Sequence, residues 1–375
     1  MDIKTLEKHF KVLASLEETS SPFLSCYINN SDLNKGYRED LNERINELRR
    51  VLPPRQISSF EKSLGELEAA LSSETSLKSK GVAIFCRSGK FPFFEVLHFD
   101  IPFETELTVD YIPHLYQLVL MKDTYFRYVV LITEESHARI VEVSVGRITR
   151  EVWAESPEIN EKSGRSWTKQ HYQNHRRDRS KKFLKEKIKV LEKLFREGEH
   201  AHLIIAGNRQ NCARVKQRLP KHLQEKLLDD RVLIGGNYST KDIITASLSV
   251  FAKYEQYESV NKAVVLKELI QTGGLAVSGT RATLDALLNG QVDTLVMSDS
   301  YIPPESWKCN DCNFIEIKER TNACYMCGST SKTKINIKEE IIRLAEQMSV
   351  TVEILRDSDE LLDVNGIGCL LRFKY

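Results

Sequence analysis

The amino-acid sequence predicts a multidomain α/β protein with three sandwich-like α/β domains. The chain has 375 residues, which is more than one hydrophobic core ordinarily organises. Short apolar runs alternate with amphipathic helical patterns, as in proteins whose helices pack on sheets. A hydrophobic content of 41% is sufficient for such cores and excludes a globally disordered chain.

The first domain is predicted over residues 1–122. Apolar residues at three- and four-residue spacing predict amphipathic helices at LNERINELRRVL (41–52) and FEKSLGELEAAL (60–71). Short apolar runs predict three strands, FLSCYI (23–28), GVAIFC (81–86) and FPFFEVLHF (91–99).

The middle domain is predicted over residues 123–253. Two β-branched runs around the polar stretch TEESHA predict a β-hairpin over 128–148, and a basic loop at 161–180 leads into a helix at 181–198. The chain continues with two strands separated by a helical segment, HLIIAG (202–207) and RVLIGG (231–236). Strand–helix–strand order predicts a parallel sheet covered by helices.

The third domain is predicted over residues 254–375. A helix ending on Gly290 precedes the strand VDTLVMS (292–298). A cysteine-rich mini-domain is inserted at 305–332. The remaining predicted elements are a helix at 337–348 and strands at 350–356 and 368–373.

Composition restricts the compartment and the partners. The net charge is +1, so any affinity for nucleic acid must come from local patches of charge. The N-terminal segment MDIKTLEKHFKVLASL is amphipathic and carries acidic residues, unlike a signal peptide. No run approaches the roughly 20 apolar residues that span a bilayer. We therefore expect a cytoplasmic monomer without a membrane partner.

Four of the eight cysteines form the most specific local pattern. They follow the spacing C-x2-C-x11-C-x2-C, as Cys309, Cys312, Cys324 and Cys327. A two-residue gap lets two thiolates converge on one tetrahedral cation while the amides of the turn donate to sulfur. The pattern predicts a structural zinc ion in a zinc-ribbon-like mini-domain. The alternatives are reduced thiols without a metal and a redox role.

The segment SWTKQHYQNHRRDRSKK (166–182) combines aromatic, imidazole and cationic side chains. Eleven cations lie between residues 162 and 189, against only Asp178 and Glu186. One interpretation is a solvated loop that runs into an exposed charged helix. The other is an RNA-binding segment, in which cations neutralise phosphates and rings stack on unpaired bases. The candidate RNA-binding residues are Arg165, Trp167, Lys169, Tyr172, His175, Arg176, Arg177, Arg179, Lys181 and Lys182.

Two segments of the last third, GGLAVSGTRATLDALLNGQVDTLVMSDS (273–300) and VTVEILRDSDELLDVNGIGCLLRFKY (350–375), resemble a known family. They are similar to the C-terminal domain of the archaeal and eukaryotic class-one release factor and Pelota superfamily. Positions that match its pattern are Gly273, Gly274, Asp293, Thr294, Ser298, Gly366 and Arg372. Asn365 stands where the family often has glycine. The cysteine mini-domain is typical of archaeal release factors, and the resemblance continues backward through all three domains.

The resemblance implies a Gly-Gly-Gln loop in the middle domain, and this sequence lacks that motif. One register aligns Tyr172 with the family's aromatic residue and places Arg165, Ser166 and Trp167 on Gly-Gly-Gln. It is favoured because divergent bacterial members look like W-x4-Y-Q-x-H. A second register aligns Gln173 with the family's glutamine, and His171-Tyr172 then replaces the two glycines. The chain therefore resembles a divergent, bacterial-type member.

Stop-codon reading is disfavoured by the first domain. Release factors read stop codons with an Asn-Ile-Lys-Ser loop and a Tyr-x-Cys-x3-Phe motif, and residues 25–75 contain neither. The resemblance implies a protein that binds the ribosomal A site, contacts rRNA or tRNA there, and acts on stalled or idle ribosomes in rescue or hibernation. It also implies a translational GTPase as a partner of the C-terminal domain.

Two other functions remain open. The first is a peptidyl-tRNA hydrolase of the same superfamily, and the candidate catalytic residues are Gln173, Trp167 and His171, with Gln170 and His175 beside them. The second is an RNA-binding regulator that acts without the ribosome.

Overall fold

The computed structural model describes residues 3–31, 37–124, 127–133, 137–144, 147–155, 169–197, 202–232, 239–318, 321–356 and 359–374. The chain forms two compact units. One consists of Ile3–Thr124 together with Glu255–Tyr375, and the other is Tyr125–Tyr254. Several sheets with helices packed around them make this a multidomain α/β protein, as the sequence predicts.

The N-terminal part of the first unit is built on an antiparallel sheet. Its strands are β1 (Phe23–Asn29), β2 (Gly81–Arg87), β3 (Phe93–Phe99) and β4 (Glu106–Asp110), and its helices are α1 (Ile3–Ala14), α2 (Tyr37–Val51), α3 (Pro54–Leu71), α4 (Glu74–Lys78) and α5 (Tyr116–Thr124). The strand order is β3-β2-β1-β4. Helices α2 and α3 bury Leu41, Phe60 and Leu67 against β1 and β2, whose apolar runs are inaccessible to solvent.

The second unit is a five-stranded mixed sheet. Its strands are β5 (Tyr128–Thr133), β6 (His137–Ser144), β7 (Arg147–Glu155), β8 (His202–Gly207) and β9 (Leu227–Val232), and its helices are α6 (Lys169–Glu197), α7 (Arg209–Lys216), α8 (Lys221–Gln224) and the first part of α9 (Thr240–Gln271). The order is β7-β6-β5-β8-β9. The predicted hairpin is the antiparallel pair β5–β6, and the predicted parallel pairing is found between β5, β8 and β9.

Helices cover both faces of this sheet. Phe183, Leu191 and Leu194 of α6 pack in the cluster on one face, and Phe251 of α9 packs in the cluster on the other. At the end of β8, Gly207 has φ +138°, and a Cβ there would lie 2.3 Å from the carbonyl oxygen of Thr133. Only glycine fits at this position.

Helix α6 differs from the prediction at its start. The sequence predicts a basic loop over 161–180 and a helix from Lys181, but the helix begins at Lys169. The predicted start was wrong because an apolar stripe marks only the part of a helix that faces a core. No proline or glycine lies between 165 and 197, and Lys, Arg and Gln are good helix formers, so the helix continues beyond the stripe. Residues 161–168 lie outside the described residues.

The bounds of strand β9 also differ from the prediction. Strand β9 begins at Leu227, whereas the sequence predicts a strand at 231–236, of which residues 233–236 lie outside the described part of the chain. Helix α9 continues to Gln271 through residue 254, where the third domain is predicted to begin. The two compact units divide at the same place, between Tyr254 and Glu255.

The C-terminal part of the first unit contains a mixed sheet and a smaller antiparallel one. The larger sheet consists of β10 (Ala276–Ser278), β11 (Val292–Ser298), β15 (Thr351–Leu355) and β16 (Ile367–Leu371). The smaller sheet consists of β12 (Ser306–Cys309), β13 (Ile315–Ile317) and β14 (Lys332–Ile335). The helices are α10 (Thr280–Leu288) and α11 (Ile337–Gln347). The strand orders of the two sheets are β10-β16-β11-β15 and β13-β12-β14. The smaller sheet carries the predicted mini-domain.

Buried polar contacts join the N-terminal and C-terminal parts of the first unit. The backbone amide of Leu115 donates to the Glu339 carboxylate at 2.7 Å, and the amide of Ile354 donates to Asp123 at 3.2 Å. Within the described ranges, no helix combines the length and the apolar character needed to cross a membrane.

Candidate metal centre and basic helix

The four cysteines predicted as ligands lie together. Their Sγ atoms are all within 4.8 Å of one another, with Cys309 and Cys327 3.6 Å apart and Cys312 and Cys324 3.5 Å apart. Sulfur atoms about 2.3 Å from a tetrahedral zinc ion would be about 3.8 Å from one another. The set therefore fits a four-thiolate metal site, with no position left for a substrate.

Both C-x2-C turns close with the same two hydrogen bonds. The amide of the first cysteine donates to the carbonyl five residues later, at 2.9 Å and 2.7 Å. The amide four residues after the first cysteine donates back to its carbonyl, at 3.0 Å and 2.8 Å. The residue at that fourth position is left-handed in both turns, Asn313 with φ +60° and Gly328 with φ +73°. Glycine and asparagine are among the residues that tolerate this conformation best.

Backbone amides of the first turn stabilise the thiolate of Cys309. Hydrogen bonds from the backbone amides of Cys312 and Asp311 lower the pKa of Cys309 to about 6. At Cys312 a hydrogen bond from the amide of Phe314 favours the thiolate, but desolvation and the neighbouring sulfur atoms outweigh it and raise the pKa to about 12. Four thiolates this close need a cation among them, and a bound metal ion supplies that charge.

A buried ion pair supports the mini-domain beside the cysteines. The Lys332 side chain is 1% exposed, and its ammonium donates to the two carboxylate oxygens of Glu316 at 2.7 and 2.8 Å. It also donates to the carbonyl oxygen of Thr321 at 2.8 Å. Burial raises the pKa of Glu316, but the hydrogen bonds from Lys332 and Thr321 outweigh it and lower the pKa overall. Lysine and glutamate are ordinarily surface residues, so the sequence offers no signal for this pair.

The N-terminal part of α6 lies at one edge of the five-stranded sheet of the second unit. Lys187 of α6 donates to the hydroxyl of Thr133, the last residue of β5, at 2.9 Å. From there α6 leads to the start of β8, so its N-terminal part lies beyond the carboxyl ends of β5 and β8. At 1.5 Å per residue, 169–182 amounts to about 20 Å of helix. We call this stretch the basic helix.

The structure places most of the candidate RNA-binding residues on one element. Those with helical backbone in the basic helix are Lys169, Tyr172, His175, Arg176, Arg177, Arg179, Lys181 and Lys182. The side chain of Lys182 is exposed. Arg165 and Trp167 lie outside the described residues.

The candidate catalytic residues divide in the same way. His171 and Gln173 have helical backbone in α6, whereas Trp167 is not among the described residues. A helical backbone has negative φ throughout, so the basic helix does not offer Gln173 the conformations that a preceding glycine pair would allow.

Lys187 belongs to the core and not to the charged surface. It is one of the eleven cations counted in the sequence, yet it is buried, and its ammonium lies 4.1 Å from the centre of the Phe183 ring. Its spacing of four residues from both Phe183 and Leu191 could have indicated this, because those positions share one face of a helix.

Comparison with known proteins identifies relatives that share parts of this sequence. A peptide chain release factor subunit 1 of Pyrococcus abyssi is 30% identical over 161 residues, covering 37% of this chain and 38% of the relative. A Pelota homologue of Pyrococcus furiosus is 23% identical over 212 residues, covering 54% of this chain and 52% of the relative. The chain thus spans between 38% and 52% of the length of these relatives.

Among solved structures, a crystal structure of an archaeal translation termination factor aligns over 100% of this chain and 99% of its own, at 17% identity and a TM-score of 0.27. The chain is thus similar to members of the release factor and Pelota superfamily, the resemblance that its C-terminal motifs predict. Within that superfamily, the model of Bacterial archaeo-eukaryotic release factor family 10 matches residues 113–250. The matched range contains the middle sheet and the basic helix.

Proposed function

We propose that this protein is a ribosome-associated factor that binds in or near the A site of stalled or idle ribosomes and does not read stop codons. The observation that carries the proposal is the basic helix, which lies at the carboxyl edge of the sheet in the unit matched by the release factor family. In open α/β sheets this edge is where ligands bind. Rescue and hibernation both require such binding.

The chemistry of the basic helix suits RNA. Between residues 169 and 189 nine cations stand against two acids, although the chain as a whole carries only +1. One of the nine, Lys187, is buried and does not contribute to a surface. The others offer charge to phosphates along about 30 Å of helix, and Tyr172 and His175 provide rings for stacking on unpaired bases of rRNA or tRNA.

The third domain supplies the second part of the proposal. The four cysteines would hold one zinc ion that orders a zinc-ribbon-like mini-domain, since their spacing and both turns fit such an ion. We assign this part of the chain to contact a translational GTPase, in a protein that works as a cytoplasmic monomer. The domain limits proposed are 1–122, 123–253 and 254–375.

Charge reversal on the basic helix tests ribosome binding. Replacing Arg176, Arg177 and Arg179 with Glu should weaken co-sedimentation with ribosomes and lower the dependence on salt, by about one unit of slope for each phosphate that is no longer neutralised. The matched control replaces three exposed cations of the same unit, Arg214, Arg218 and Lys221, with Glu. Equal binding of ribosomes by the two variants would contradict the proposal. If the wild-type protein bound RNA but not ribosomes, the alternative of an RNA-binding regulator would be favoured.

A second candidate function is hydrolysis of peptidyl-tRNA, because the basic helix also carries Gln173 and His171. We expect little release of peptide, since a helical backbone without glycine keeps a glutamine from approaching the ester closely. The assay compares wild type with Gln173→Ala and Trp167→Ala on ribosomes with an empty A site. Robust release by wild type that is lost in Gln173→Ala would establish the enzyme instead.

A further inference from the structure

Lys308 connects the cysteine turns to two distant parts of the first unit. It lies in β12 immediately before the ligand Cys309, and its side chain is only 12% exposed. Its ammonium pairs with Glu18, which follows α1, and lies 3.6 Å from the Glu340 carboxylate of α11. One lysine of the mini-domain therefore bridges the N-terminal and C-terminal parts of this unit.

The contacts continue from Glu340 to the end of α1. Arg343 donates to both carboxylate oxygens of Glu340 at 2.8 Å. The side chains of Arg343 and Gln347 donate to the carbonyl of Ala14, the last residue of α1, at 3.4 and 2.7 Å. A helix end leaves such carbonyls without intrahelical partners, so donors from α11 both satisfy it and fix its position. The charge on Glu340 is supported from two sides, by Arg343 and by Lys308.

The position of Lys308 depends on how well β12 is ordered. The small sheet has strands of only three or four residues, and the buried apolar residues of the mini-domain include Ile315 and the predicted ligands Cys309 and Cys324. A sheet of this size does not hold its shape by packing alone, and a bound metal ion supplies the missing stability. A lysine on a loosened strand would regain its rotamer freedom and lose a fixed place between two carboxylates.

We propose that the metal ion held by Cys309, Cys312, Cys324 and Cys327 also secures α1 against α11, because it fixes Lys308 between Glu18 and Glu340. The metal site is then a coupling element between sequence-distant parts of the chain. The inference rests on the zinc occupancy proposed above, and it is independent of ribosome binding.

Hydrogen exchange measured on the full chain tests the coupling. The reporters are the amides of Ser15 and Leu16, which close the last turn of α1. Removing zinc with a chelator should accelerate their exchange by roughly tenfold, within the range expected for coupled contacts. In Lys308→Met these amides should exchange fast with zinc bound and show no further change on chelation.

The matched control is Lys334→Met, which removes an exposed ion pair with Glu305 from the same small sheet. It should behave as wild type. The proposal is overturned if chelation loosens 307–331 without affecting Ser15 and Leu16, if Lys308→Met keeps the metal response, or if metal analysis finds no zinc. The last result would also overturn the zinc site proposed above, but it would leave the ribosome-binding assay unaffected, so the coupling and ribosome binding fail separately.

Discussion

Two cysteines of this chain have opposite chemistry because their surroundings differ. Burial raises the pKa of Cys369 to about 12, which makes it an inert apolar residue of β16. Backbone amides lower the pKa of Cys309 to about 6. The sequence predicts the four clustered cysteines as metal ligands from their spacing, because a C-x2-C turn is local and brings its own amides. It does not predict Asn313 or the pair of Lys332 and Glu316, whose roles depend on tertiary contacts.

A single ligand substitution should release the metal without unfolding the rest of the unit. Cys324→Ser leaves three thiolates, so we expect loss of stoichiometric zinc and faster hydrogen exchange over 307–331, while the larger sheet keeps its protection. Tyr325→Ser is the control, since Tyr325 lies between two ligands and is 87% exposed. Metal analysis that finds one zinc per chain in Cys324→Ser would contradict the four-thiolate site.

Lys187 should stabilise the core more through its aliphatic stem than through the charge of its ammonium. Lys187→Met keeps the aliphatic stem against Phe183, and we expect a change in unfolding free energy of less than about 1.5 kcal/mol. Lys187→Ala opens a cavity and should cost about 2–4 kcal/mol. Denaturant unfolding of both variants measures the difference. Equal losses would show that the ammonium, through its bond to Thr133, is what the core requires.

At the scale of elements, the sequence predicts those that face a core. Strands β8 and β11 are found at the predicted residues, because each contains a short apolar run, LIIA in β8 and LVM in β11. The start of α6 is missed because the basic helix has no apolar stripe. Hydrophobic periodicity marks the residues that face a core, and it gives no signal where a helix extends beyond the core.

Gly207 should be essential to the parallel pair of β5 and β8. Gly207→Ala places a Cβ 2.3 Å from the Thr133 carbonyl at φ +138°, and we expect a loss of about 3 kcal/mol or more. Gly65→Ala is the matched control. Gly65 lies in α3, where an added Cβ would meet nothing within 4 Å, so alanine there should stabilise by about 0.5–1 kcal/mol. Thermal unfolding compares the two, and a tolerated Gly207→Ala would mean that β5 and β8 can separate locally.

At the scale of the whole molecule, the first unit is assembled from both parts of the chain that flank the middle unit. His114 marks their junction, with Nε2 3.3 Å from Asp110 and Nδ1 3.7 Å from Glu339 of α11. Burial opposes its charge, but Glu339 and Asp110 outweigh burial and raise the pKa of His114. Burial also raises the pKa of Glu339. Both shifts favour the protonated state of the junction.

Stability of the first unit should therefore fall as pH rises. A group whose folded pKa is raised contributes its stability fully below its unfolded pKa, about 6.5 for histidine, and loses it as pH rises through the folded value. His114→Gln cannot titrate, so its unfolding temperature should decline less above about pH 6.5 than that of wild type. Calorimetry at several pH values measures this. A wild-type unfolding temperature that rises with pH above about 6.5 would contradict the raised pKa of His114.

Long-range contacts in the first unit have a consequence for biosynthesis. Ala14 receives its hydrogen bond from Arg343, 329 positions later. At about 5–20 residues per second, a translating ribosome needs roughly 15 seconds to a minute to add that length. During this interval α1 and its neighbouring sheet lack their contacts with α11. Tyr125–Tyr254 is a continuous stretch of the chain, so it can complete its own core in the meantime. The nascent chain thus exposes the docking face of its N-terminal part longest, and that face is where a chaperone would be needed most.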